Sequence, residues 1–165
     1  MINNLFFYVI LLLTSFQNVS LKEFHEHLAK RLQINIGPSP EMNGNEDCYN
    51  YTELLKVEIN HKSKVTDLKL SDSAPDWLVK DLQRQKDKKQ LYVNKLDSIA
   101  LADGIKNCVL LFPLFLESDD FPCGEGKKKR GYSENYFKFN GKYLQGNIRF
   151  GEQIKLIFTT RFVSK

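Results

Sequence analysis

Charge is missing from the first 20 residues. Met1 to Ser20 holds no Asp, Glu, Lys, Arg or His, so all 24 basic and 20 acidic side chains of the 165-residue chain lie after it. Long apolar runs are missing too. The longest, Leu5 to Leu13, has nine residues, and a bilayer-spanning helix needs about 20. Val109 to Leu116 is the strongest later run, and Pro113 interrupts it. Cysteine is scarce, with three residues and no C-x-x-C or Cys/His cluster, which excludes a structural zinc site. Signatures of well-known chemistries are absent: there is no G-x-S-x-G, H-E-x-x-H or G-x-x-x-x-G-K-[ST]. The length excludes a multi-domain enzyme or a long repeat array.

What is present begins with an address. Nine apolar residues behind an initiator Met match the core of a secretory signal. Cleavage is expected between residues 15 and 20, after Ser15 or after Ser20. The signal would occupy 1–20, and the mature chain would be secreted with no stable membrane span. Asn18-Val19-Ser20 and Asn50-Tyr51-Thr52 are sequons, so Asn18 and Asn50 are candidate glycosylation sites in an exported chain. Asn50 follows the polar stretch Glu41 to Asp47 and is expected in a loop.

An odd number of cysteines leaves one unpaired within the chain, and three internal pairings are open. Cys108 and Cys123 flank one apolar strand and its turn, which favours a Cys108–Cys123 disulfide. Closing so short a loop would contribute about 3 kcal/mol by chain entropy. Cys48 would remain single.

The hydrophobic pattern changes along the chain. Leu21, Phe24, Leu28 and Leu32 make one helical face, and Gly37-Pro38-Ser39-Pro40 ends it, so 21–49 reads as a short amphipathic helix and linker. From residue 50 the period becomes two. Leu55, Val57 and Ile59 mark one strand and Thr66, Leu68 and Leu70 a second. Trp77 to Val79 suits a strand or a helix start, and Leu91 to Val93 restarts a strand. Val109 to Leu116 is apolar on both faces, like a central strand. Asn140-Gly141 is a strong hairpin turn, and Ile154 to Phe162 alternates as a final strand. About seven strands with frequent turn signals predict a mainly β domain over 50–165, an antiparallel β-sandwich of the fibronectin type III or immunoglobulin kind.

Lys127-Lys128-Lys129-Arg130 is the sharpest local feature, because four adjacent like charges must be solvated. Such a tip can be a plain turn, a seat for a sulfated polyanion favoured by the net charge of +4, or a site for a processing protease. His25 and His27 are two apart and would diverge on a helix, so no metal and no cofactor is expected. Nucleic acid is a poor match for a secreted chain.

Phe121, Gly124-Glu125-Gly126, Gly131-Tyr132, Asn135, Gly151 and Arg161-Phe162 together resemble the last two strands of the membrane-proximal fibronectin type III-like domain of receptor-type tyrosine phosphatases. Phe150 and Ile154 stand where that family has Pro and Tyr. No catalytic H-C-x₅-R loop is present, so the resemblance implies an ectodomain-like module without phosphatase activity. The expected function is a secreted glycoprotein module that binds an extracellular protein or a sulfated glycan through loops. The rival is a small secreted enzyme or effector. Asp119-Asp120 could supply its acid and base, although adjacent strand residues point to opposite faces.

Overall fold

The computed structural model describes residues 21–35, 50–118 and 135–158. Among them are three helices and a mixed sheet, a different architecture from the expected antiparallel sandwich. In chain order the elements are α1 (Lys22–Asn35), β1 (Asn50–Ile59), β2 (Val65–Leu70), α2 (Asp76–Asp87), α3 (Val93–Ala102), β3 (Cys108–Ser118), β4 (Lys138–Phe139), β5 (Lys142–Tyr143), β6 (Ile148–Phe150) and β7 (Ile154–Phe158). The main sheet runs β2-β1-β3, and then β6 and β7 lie end to end along the far side of β3. β1 is antiparallel to β2 and β3, whereas β6 and β7 run parallel to β3.

β3 is central, as its two-sided apolar pattern predicts. Its even residues Leu110, Phe112, Leu114 and Leu116 join Leu55, Val57 and Ile59 of β1 and Ile154 and Leu156 of β7 in the larger core. All three helices contribute to that core: Phe24, Leu28 and Leu32 from α1, Trp77, Leu78 and Leu82 from α2, and Leu96, Ile99 and Ala100 from α3. The helices therefore pack on one face of the sheet. α1 belongs to the domain, since its three apolar side chains are fully buried there.

The segment at Trp77, which suits a strand or a helix start, and the one at Leu91 to Val93, expected to restart a strand, both lead into helices, and local forces explain both. Pro75 sits extended at the start of α2, Asp76 puts a negative charge in its first turn, and Arg84 and Lys86 put positive charge in its last, all favourable to the helix dipole. Leu78, Leu82 and Gln85 make its buried stripe. The charged run from residue 84 is the solvated side of α2 and the turn after it. α3 starts from Tyr92, in a left-handed conformation at φ 50°, and turns Leu96, Ile99 and Ala100 inward.

Helix side chains also close the sheet's edges. Gln33 of α1 donates from Nε2 to the Ile157 carbonyl (3.0 Å) and accepts from the Ile157 amide at Oε1 (3.1 Å). On the opposite edge, Asp97 of α3 accepts the Val65 amide (2.8 Å) and Lys86 of α2 donates to the Leu68 carbonyl (3.2 Å). Backbone groups taken up in this way offer no template to an incoming strand.

Candidate functional site

The second face of the sheet carries the candidate site. Asn140 and Gly141, at φ 55° and 73°, form the predicted hairpin turn between β4 and β5. Its two turn amides donate to the Asp72 carboxylate at 2.8 and 2.7 Å, and the Asp72 amide donates to the Lys138 carbonyl at 2.8 Å. Three bonds thus fasten the hairpin to the end of β2. Beneath it, Leu54, Leu111, Tyr136 and Phe139 form a small second core.

A charged group is buried next to that core. Lys56 is half-way along β1 and its side chain is almost covered. Its Nζ donates to Glu58 at 2.7 Å, lies 3.4 Å from Asp67, and sits 5.3 Å from the centre of the Phe139 ring. Two carboxylates and a ring face offset its desolvation, so this lysine supports the hairpin layer.

The outer surface of this layer is aromatic. Phe137, Tyr143 and Phe150 are 48%, 61% and 63% exposed, high values for such large apolar groups. Tyr136 holds Phe137 edge-on at 5.2 Å, and Lys138 lies over Tyr143 at 5.2 Å. Phe150 pairs with Leu111 in register, which puts it on the hairpin side of the sheet.

A second polar cluster lies at the end of β1. The buried Glu53 carboxylate accepts Ser71 Oγ at 3.0 Å and Ser73 Oγ at 2.6 Å, and Ser71 also pairs with the Leu54 backbone. These bonds hold the turn into α2. No group of three or more His, Cys, Asp or Glu among the described residues could hold a metal.

Most residues singled out from the sequence lie outside the described part: Asn18, Cys48, Cys123, Asp119-Asp120 and Lys127 to Arg130. Asn50 is described at the backbone level and opens β1 opposite Glu117, in a strand where a loop was expected. Cys108 is a buried free thiol at the start of β3, and burial raises its pKa, with Arg149 acting the other way. The other partner of the expected Cys108–Cys123 bridge, Cys123, lies outside the described residues. The sequence patterns gave no hint of the Asp72 anchor. An aspartate near one turn and an Asn-Gly at another are each ordinary, and only the fold joins them.

These features define a class: an α+β domain with a dry, helix-packed face and an anchored aromatic hairpin on the other. No known protein family, curated protein or solved structure matches the chain.

Proposed function

We propose that this chain is a secreted, N-glycosylated, non-catalytic module that binds a protein partner through its hairpin face. The observation that carries the reading is the set of exposed aromatics, Phe137 and Tyr143 at a hairpin already fastened by Asp72 and Phe150 on the adjoining strand β6. Large aromatic side chains dominate binding energy at protein interfaces, and a pre-organised hairpin loses little entropy on docking. The capped sheet edges disfavour the other common use of a small sheet, addition of a partner strand. No described helix is long and apolar enough to cross a membrane.

Export is tested by N-terminal sequencing of the mature protein, which is expected to begin between residues 16 and 21. An intact Met1 on intracellular protein overturns it. Enzymatic deglycosylation is expected to lower the mass of the wild type and to leave Asn50→Gln lighter from the start. The interface is tested with a Phe137→Ser, Tyr143→Ser, Phe150→Ser triple variant in cross-linking to cell-surface and matrix extracts. The wild type is expected to give a discrete adduct that the variant, with an unchanged circular dichroism spectrum, does not form. The same adducts with both proteins overturn the hairpin reading. An adduct released by glycosidase treatment makes the partner a glycan.

A further inference from the structure

Residues 135–150 carry three basic side chains, Lys138, Lys142 and Arg149, and no acidic one. Arg149 pairs with Leu110 in register, so it belongs to the helix side of the sheet. Lys138 and Lys142 remain with the hairpin, near the exposed Phe137, Tyr143 and Phe150. Asp72 is the carboxylate that fastens this hairpin, and the turn amides of Asn140 and Gly141 take one of its oxygens each.

The hairpin layer treats its lysines in two ways. Beneath the hairpin, Lys56 has Glu58 at 2.7 Å and Asp67 at 3.4 Å, and Lys69 on the neighbouring strand shares Asp67 at 3.4 Å. Two cations thus meet two carboxylates inside the layer. On its outer surface, Lys138 is held by neutral groups. Its Nζ donates to the Asn135 side-chain oxygen at 3.2 Å and lies over the Tyr143 ring at 5.2 Å. Lys142 is exposed, and neither Lys138 nor Lys142 forms an ion pair with a described carboxylate. Ring and amide fix the Lys138 ammonium without cancelling its charge, and they leave donors of its three unspent.

The chemistry of this face separates the occupants it could take. A second copy docked by a two-fold contact would set the same cationic patch on both sides, which like charges oppose. A bilayer surface calls for an apolar tip, whereas the tip here is Asn140-Gly141-Lys142. An acidic protein segment with apolar side chains between its carboxylates matches the ammonium groups and the rings together.

We propose, building on the reading of the hairpin face as a protein interface, that the partner presents such an acidic, apolar-studded segment. Its carboxylates would meet Lys138 and Lys142, and its apolar side chains would cover Phe137, Tyr143 and Phe150. The charges steer the encounter and set the orientation, while the rings supply the buried area.

The test follows the Phe137 and Tyr143 ring signals of the mature protein by NMR. The probes are a short peptide alternating Glu and Leu and its counterparts with Gln or Lys in place of Glu. The Glu peptide is expected to shift both rings saturably and to bind at least about threefold more tightly than the Gln peptide at low salt, the scale of two exposed ion pairs. Added salt is expected to erase that preference, and the Lys peptide is expected to bind weakest. Lys138→Gln/Lys142→Gln is expected to fold, to bind the Gln peptide as the wild type does, and to lose the preference for Glu, whereas Lys138→Arg/Lys142→Arg keeps it. Equal affinity for the Glu and Gln peptides, with the rings still shifted, overturns the acidic partner and spares the hairpin reading. Rings unmoved by every peptide overturn both. Tighter binding to phosphatidylserine vesicles or to a heparin-derived tetrasaccharide than to the Glu peptide also overturns the proposal, in favour of a membrane surface or a sulfated glycan.

Discussion

Leu110 and Leu111 are neighbours on β3, and both are buried, yet they enter different environments. Leu110 joins the core built with all three helices, where residues 53 positions away in sequence and more converge. Leu111 joins a cluster of four buried residues whose other side is the hairpin. The first environment is deep and apolar. The second is one side chain thick, takes in a buried lysine, and depends on polar fastenings at Asp72 and Lys56. The helix face therefore provides the stability, and the hairpin face is free to carry solvent-facing aromatics.

The largest expected effect tests that division directly. Phe112 is fully buried on the helix side and stacks on Phe24 with ring centres 6.1 Å apart. Its ring occupies the space above Gly151, where a Cβ would collide with it. Phe112→Ala is expected to cost about 3–5 kcal/mol, the usual range for removing a core aromatic. Phe139→Ala, in the thinner cluster, is expected to cost about 1–2 kcal/mol. Urea denaturation of both variants checks the order. Equal losses would mean that the two cores carry equal weight. Gly151→Ala falls between them at about 1–3 kcal/mol, from overpacking against Phe112.

Asp72→Ala comes next. It removes the shared acceptor of the Asn140 and Gly141 amides. Bonds to a carboxylate are worth more than neutral ones, but this one is exposed, so about 1–2 kcal/mol is expected. The clearer signature is local: amide exchange at residues 138–143 is expected to accelerate while the amides of β1 and β3 stay protected. Uniform acceleration across the sheet would show that the hairpin is not a separable layer.

The reach of sequence reasoning follows the same division. β1, β2 and β3 were legible because their alternating or continuous apolar patterns match their burial, and the Asn140-Gly141 turn was legible from backbone preference alone. The first helix was legible from the spacing of Phe24, Leu28 and Leu32. α2 was left open and the start of α3 was read as strand, because each presents a short apolar stripe among charges. Trp77-Leu78-Val79 suits a strand or a helix start until Leu82 and Gln85 extend the helical stripe. Strand direction was illegible for a different reason. β7 alternates as any strand does, and only tertiary pairing makes it parallel to β3. The candidate site was largely hidden, because exposed Phe137 and Tyr143 have the same identities as core residues. Their exposure depends on which side of the hairpin meets Leu111.

Cysteine placement sharpens the comparison between the sheet's two ends. Cys108 is at one end of β3 as a buried thiol, whereas the Asn50–Glu117 pair marks the other. Cys48 and Cys123 lie outside the described residues. Peptide mapping of the exported protein is expected to return Cys108 as a thiol that a reagent reaches only after unfolding. A peptide linking Cys108 to another cysteine would overturn that expectation.

The smallest effect concerns pH and again separates the faces. The folded-state pKa of His27 is lowered, with burial the first cause and the cations Arg31, Lys95 and Lys30 adding to it. The unfolded chain therefore binds a proton at His27 more readily than the folded one. Above the unfolded value of about 6.5 both forms are neutral and stability is unaffected by this group. As pH falls below that value toward the lowered folded pKa, the unfolded state gains protons first and stability declines. The decline ends below the folded pKa, where both states are charged. His27→Gln is expected to flatten the fall in urea midpoint between pH 7 and 5. A slope unaffected by His27→Gln would place the sensitive group elsewhere. A rise in stability on acidification would show that the cations around His27 are already neutralised in solution.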